Sequence, residues 1–285
     1  MQPPIRNALS VDVEDWFQVG AFEKVIDRAD WDRLPVRVER NGDAVLALFD
    51  RAGVKGTFFT LGWVAERFPA LVRRIADAGH EVASHGWDHQ RVFTMDADTF
   101  RADLRRARHA IEDAGGAKVT GYRAPSFSID QRTPWAHQVL AEEGYTYSSS
   151  VAPIAHDHYG WREAPRFAFR PLADAPLIEL PVTTVEVGGR RAAAGGGGFF
   201  RLLPYRFSSW AIRRVNQREG RPAIFYFHPW EIDPGQPRMA QAPLKSRVRH
   251  YTNLAKMEPK LLKLFRSFAW ERTDAVVARE RERVQ

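Results

Sequence analysis

Pro69-Ala70-Leu71-Val72-Arg73-Arg74-Ile75-Ala76-Asp77-Ala78-Gly79, followed by His80-Glu81-Val82-Ala83-Ser84 and then His85-Gly86-Trp87-Asp88-His89, is the stretch on which the fold turns. Proline suits a first helical turn, where its missing N–H costs nothing. Glycine suits the position just past a helix end, where the chain turns left-handed. The run between them reads as a helix and His80 to Ser84 as a short strand. The imidazole pair falls just beyond the C-terminal end of that strand.

The same alternation continues on both sides. Leu9 to Val13 reads as a strand ending in acids, and Asn41 can cap a helix through about Asp50 that Gly53 stops. Val54 to Leu61 is the next strand. Downstream, helices at Asp96 to about Asp113, Pro134 to Glu143 and Arg206 to Arg218 alternate with strands at Val119–Arg123, Tyr145–Ser149, Leu177–Val187 and Ala223–Phe227. Strands alternating with helices of ten or more residues imply a mainly parallel sheet. The pattern predicts an α/β fold, a distorted (β/α) barrel with about seven parallel strands. Functional groups of such barrels collect at the C-terminal strand ends; Asp12, His85, His89, Arg123 and His228 all fall there. Ala192 to Gly198 reads as a flexible loop, a further helix is expected from about Pro259 to Phe268, and the charged C-terminus reads as a frayed or solvated helix.

Residue chemistry narrows the function. In an extended strand Asp12 and Glu14 share a face while Asp15 goes with Val13. One carboxylate can bind a metal and another act as a base. His85 and His89, four apart, suit zinc or a related divalent metal, and three protein ligands leave a position open for hydrolysis. Arg123 can orient a carboxylate, the Ser126 amide after Pro125 can face an oxyanion, and His228 can protonate a leaving group. For Trp16, Phe17, Trp87 and Trp230, stacking on a ligand ring and packing in the core are equal readings.

The bulk numbers exclude some classes. The 285 residues contain no cysteine, so disulfide and thiolate chemistry are ruled out. Net charge is +7, yet no known nucleic-acid module or basic face interleaved with aromatics is evident, so no nucleic-acid partner is expected. No apolar run is long enough for a membrane span. No signal peptide is seen at the N-terminus, and a cytoplasmic or inner-face peripheral location is expected.

Taken together, Asp12-Val13-Glu14-Asp15, His85-Gly86-Trp87-Asp88-His89, Arg123-Ala124-Pro125-Ser126 and Phe227-His228 resemble, in order and spacing, the motifs of the polysaccharide deacetylases of carbohydrate esterase family 4. Ser10 to Phe17, Tyr226 to Pro234 and Arg249-His250-Tyr251 resemble a bacterial subgroup that accompanies exopolysaccharide and exosortase (PEP-CTERM) systems and carries its own C-terminal extension. The resemblance implies a catalytic barrel over 1–230 and a family-specific extension over 231–285 packed on it. It also implies a metal-dependent N-deacetylase acting on N-acetylhexosamine units of a polysaccharide or lipid-linked precursor, in exopolysaccharide biosynthesis. Asp12 would be the base, Arg123 its orienting partner, Ser126 the oxyanion donor and His228 the acid. Glu14, His85 and His89 would hold the metal, with Asp15 the alternative to Glu14. The metal would be zinc, with cobalt or nickel as substitutes. The implied partners are an N-acetylated glycan and, peripherally, the membrane or an exopolysaccharide assembly complex. Two other readings are an amidase on a small or cyclic amide and a non-catalytic glycan-binding protein. The second is motivated by the lack of a carboxylate in Tyr147-Ser148-Ser149-Ser150, where the family usually places one that tunes the catalytic His. Asp130, Glu231 and Asp233 are the candidates to replace it.

Overall fold

The computed structural model describes residues 4–155 and 159–284. Its sheet grows outward from β1 (Arg6–Val13), seven of whose eight residues are buried because both faces are covered. In chain order the next strands are β2 (Thr57–Thr60), β3 (Glu81–Ser84), β4 (Gly121–Tyr122), β5 (Tyr147–Ser148) and β6 (Ile178–Glu179). A hairpin follows, β7 (Thr184–Val187) with β8 (Arg190–Ala193), then β9 (Ile224–Phe227) and β10 (Ala269–Glu271). β2 to β6 follow β1 in parallel order and β9 lies on its other side, which makes seven parallel strands; β10 adds an eighth beside the start of β1. The sheet curls into a distorted barrel of the α/β class.

Helices α1 (Val38–Ala52), α2 (Gly62–Arg67), α3 (Pro69–Asp77), α4 (Ala97–Gly115) and α5 (Ala136–Glu142) cover the outside of the first half. Gly53 and Gly116 end α1 and α4 in the left-handed conformation. Later come α6 (Gly197–Leu202), α7 (Tyr205–Arg218), α8 (Leu244–Tyr251), α9 (Leu254–Ser267) and α10 (Thr273–Arg283). No helix among the described residues is long and apolar enough to cross a membrane.

Several expectations are revised. α1 begins at Val38, so Asn41 lies inside it and donates to Asp233 instead of capping. Leu177 to Val187 is not one strand: it breaks after Glu179, and Thr184–Val187 pairs with β8 in a separate antiparallel hairpin. Pro181, with no N–H for a ladder, sits at the break. α9 starts at Leu254 and carries Pro259 inside it; burial of Met257, Leu261, Leu264 and Phe265 outweighs the lost hydrogen bond. At the C-terminus the expected solvated helix is found over Arg281 to Arg283, while earlier turns of α10 bury Val276 and Val277.

Nor is Ala192 to Gly198 a loose loop. It forms the end of β8 and the start of α6, with Ala194 to Gly197 buried along β9. The Tyr226 N–H donates to the Gly195 carbonyl at 2.8 Å. A Cβ on Gly195 would lie 2.3 Å from the Ile224 carbonyl, so glycine is required for the backbones to approach. This segment seals the seam between β6 and β9.

Candidate active site

The strand alternation brings Ser10, Asp12 and, one residue past β1, Glu14 to the inside of the barrel. All three are buried, as is Arg123 just after β4. The Arg123 guanidinium donates to Asp12 Oδ1 at 2.7 Å, Ser10 Oγ at 2.8 Å, the Ser149 carbonyl at 3.1 Å and Ser149 Oγ at 3.0 Å. It also lies 4.1 Å over the Phe59 ring. A buried guanidinium is tolerable only with such partners, and they hold the Asp12 carboxylate in one orientation.

His85 follows β3 directly. Its Nδ1 is 2.8 Å from the Arg123 carbonyl, so that nitrogen donates and Nε2 keeps its lone pair for the site. Burial pushes its pKa down to about 4, so the ring is neutral. Gly86 and His89 both take positive φ, 77° and 62°, and this loop returns His89 toward β1. His89 Nε2 then lies 3.0 Å from Glu14 Oε2.

Glu14 is the meeting point. Its Oε1 accepts from Trp230 Nε1 at 3.2 Å and lies 3.5 Å from His228 Nε2. Burial works to raise its pKa, but His89 and then His228 more than offset that and bring it to about 2. Its Oε2 is buried with no hydrogen bond made to it. One ligand atom each from Glu14, His85 and His89 lie within 4.8 Å of one another. Two imidazoles and a buried carboxylate oxygen are a donor set that suits a divalent metal, with further positions left open.

Asp15, weighed as an alternative ligand, is engaged elsewhere. Its Oδ2 accepts from the N–H groups of Arg37 at 2.6 Å and Val38 at 2.8 Å, and its Oδ1 from Trp16 at 2.8 Å. It therefore caps α1, doing the work expected of Asn41. Burial raises its pKa to about 6 against those three donors.

His228 closes the other side, just past β9. Its Nδ1 is 2.8 Å from Glu231 Oε1, and Glu231 Oε2 accepts from Arg201 Nε at 2.5 Å. Arg201 in turn donates to the carbonyls of Thr252 at 2.6 Å and Arg249 at 3.0 Å. Burial depresses the His228 pKa, yet Glu14 first and then Glu231 outweigh it and raise it to about 9. Of the three candidate carboxylates, Glu231 is thus the one that orients His228. Asp130 pairs with Arg132, and Asp233 with Arg37 and Arg40. Glu231 lies on the single turn that starts at Pro229, where three-residue spacing faces it back toward His228. Arg201 belongs to no sequence motif, and nothing in the sequence singled it out.

Ser126 follows Arg123 in a turn where it and Phe127 both adopt left-handed backbone, φ 56° and 50°. Two consecutive non-glycine residues there store strain, and Phe127 secures the turn by packing 4.8 Å from Tyr226. Of the two readings of the aromatics, core packing holds: Trp16, Phe17, Trp87 and Trp230 are each under 10% exposed. Trp230 stacks between His228 at 5.1 Å and His250 at 4.1 Å.

Comparison with known proteins bears on the family and the fold. Residues 30–148 match the family model described as polysaccharide deacetylase, and 149–278 match a domain of unknown function, DUF3473. Over 107 residues, 38% of this chain, it is 32% identical to a peptidoglycan deacetylase of Helicobacter pylori. Over 88 residues, 31% of the chain, it is 32% identical to the peptidoglycan-N-acetylglucosamine deacetylase of Listeria monocytogenes. Those segments are 36% and 19% of the two relatives, so the chain spans only part of the length of the curated relatives it matches. A crystal structure from Mycobacterium smegmatis, of a protein assigned as a polysaccharide deacetylase, shares the fold with TM-score 0.64 at 21% identity, covering 100% of this chain and 94% of that one. Residues 30–148 thus match the polysaccharide deacetylases, a family of hydrolases acting on the amide bonds of acetylated sugars.

Proposed function

We propose that this chain is a metal-dependent N-deacetylase that removes acetyl groups from N-acetylhexosamine units of a polysaccharide or a lipid-linked precursor. The observation that carries the reading is the convergence of two half-sites around Glu14. On one side stand His85, His89 and the Arg123-bound Asp12; on the other stands His228 backed by Glu231. A divalent ion held by Glu14, His85 and His89, with zinc the best fit to two imidazoles and a carboxylate, supplies Lewis acidity to the acetamide carbonyl and to water. Asp12, its orientation held by Arg123, takes the proton from the attacking water. The Ser126 amide stands by for the oxyanion. His228, with Glu231 on Nδ1, presents Nε2 to the leaving nitrogen and protonates it, so that acetate and a free amino sugar depart.

The resemblance to the exosortase-associated subgroup supports exopolysaccharide biosynthesis as the setting, at the inner face of the membrane. The glycan-binding alternative rested on a missing carboxylate, and Glu231 fills that place. The test is acetate release from N-acetylglucosamine oligomers, before and after chelation and after zinc is restored, with His85→Ala alongside. Metal-restored acetate, abolished in the variant, is expected. Turnover of small or cyclic amides with none of the oligomers would replace this reading with the amidase. Metal-independent oligomer binding without acetate would replace it with a lectin-like role.

A further inference from the structure

The positive charge of this chain is not spread evenly. Residues 187–218 and 234–257 hold twelve of its 42 Lys and Arg and none of its 35 Asp and Glu. The remainder, 30 basic against 35 acidic residues, is net acidic, so the whole formal charge of +7 resides in those two stretches. The same stretches contain six of the seven exposed large hydrophobic residues among the described residues: Val187, Phe199, Leu202, Trp210, Leu244 and Val248. Two independent surface properties therefore coincide.

The fold joins these stretches. Arg201 of α6 donates to carbonyls at the end of α8, and the Asn253 amide donates back to the Arg201 carbonyl at 3.0 Å. α6 begins against the C-terminal end of β9, where a Cβ on Gly197 would meet Glu231 Oε1 and Phe227. The α6–α8 face thus lies beside the catalytic mouth. On α8, Leu244 and Val248, 72% and 52% exposed, are four residues apart and share one side, with exposed Arg247 and Arg249 among them. A shallow groove of about 360 Å³ runs along that side, lined by Arg238, Leu244, Arg247, Val248, Tyr251 and Thr252.

We infer that this face docks on a bilayer surface rich in anionic phospholipid, with Leu244 and Val248 entering the headgroup boundary and the arginines contacting phosphates. Exposed aliphatic side chains among cations are what an interfacial surface needs. A polyanionic glycan or a nucleic acid would use the arginines but gain nothing from Leu244 and Val248. The inference deepens the proposed function only in stating where the substrate is met. The surface can be tested whether or not the chain deacetylates anything.

The test is flotation of the full chain with vesicles of phosphatidylcholine alone, and of an equimolar mixture with phosphatidylglycerol, at low and high salt. Binding to the anionic vesicles at least about ten-fold tighter than to the neutral ones is expected. Arg238→Glu with Arg247→Glu should weaken it on the order of 100-fold, and Leu244→Ser with Val248→Ser about ten-fold. Melting temperature and acetate release from soluble oligomers should stay unchanged in both variants. Equal binding to both vesicles would overturn the inference. So would full affinity in the serine variant, or binding to heparin or duplex DNA with none to vesicles.

Discussion

Adjacent acids can have unrelated duties, and Glu14 and Asp15 separate cleanly. Glu14 faces two imidazoles, whereas Asp15 accepts three backbone N–H groups. Glu14→Gln is expected to abolish high-affinity zinc binding, read by calorimetry, at little cost in melting temperature. Asp15→Asn should do the reverse, keeping the metal while losing about 1–2 kcal/mol of stability, read by urea unfolding, because an amide presents one acceptor to three donors. Glu231 acts through His228, so Glu231→Gln should lower kcat on the order of 100-fold and shift the alkaline limb of the pH profile to lower pH. Metal affinity and KM should be retained.

Among elements, the sealing segment between β8 and α6 is the most exacting. A Cβ on Gly197 would lie 2.3 Å from Glu231 Oε1 and 2.8 Å from Phe227 Cβ, while one on Gly198 would meet nothing within 4 Å. Gly197→Ala is therefore expected to lose about 1–3 kcal/mol together with activity, since it displaces the carboxylate behind His228. Gly198→Ala, on the open side of α6, should gain about 0.5–1 kcal/mol from helix propensity, with activity intact. Thermal melts and acetate assays on the pair decide it. The sequence shows four glycines and reads as flexibility. The structure uses them for closeness, a distinction that depends on β9 lying alongside.

At the scale of the molecule, two features govern stability. The His80 ring sits between Phe49 at 5.5 Å and Phe58 at 5.0 Å, and its Nδ1 accepts the Gly56 N–H. Burial lowers its pKa to about 4 from an ordinary value near 6.5. Between those values the unfolded chain binds a proton that the folded chain refuses, so stability rises with pH there and is lost as pH falls from 6.5 toward 4. In urea unfolding, His80→Asn should lose less stability between pH 7 and 4.5 than the wild type, by up to about 3 kcal/mol. The second feature is the C-terminal segment. β10 pairs with β1 from Arg6 to Ala8, and Val276 and Val277 share a buried cluster with Ala8, Phe59 and Ile224. Truncation after residue 230 or 268 is expected to yield insoluble protein, checked by expression and circular dichroism.

The alternation of helices and strands, the acids after β1, the His pair after β3, Arg123 after β4 and His228 after β9 were legible in the sequence. Each is a local pattern, of period 2 or 3.6 with a cap or stop, and strand ends follow from such patterns. What the sequence could not determine depends on neighbours distant in the chain. Glu14 and Asp15 divide their duties because Arg37 and Val38 reach one and His85 and His89 reach the other. Glu231 is chosen over Asp130 and Asp233 because their own arginines occupy those two, and because Arg201, some thirty residues upstream, reaches Glu231. Trp16, Phe17, Trp87 and Trp230 are large aromatics that serve at a surface or in a core, and only packing decided for the core. Local sequence thus determined the elements and the kinds of residue at their ends, while tertiary proximity alone assigned each buried charge its partner, since a charge can be buried only where its counter-group arrives.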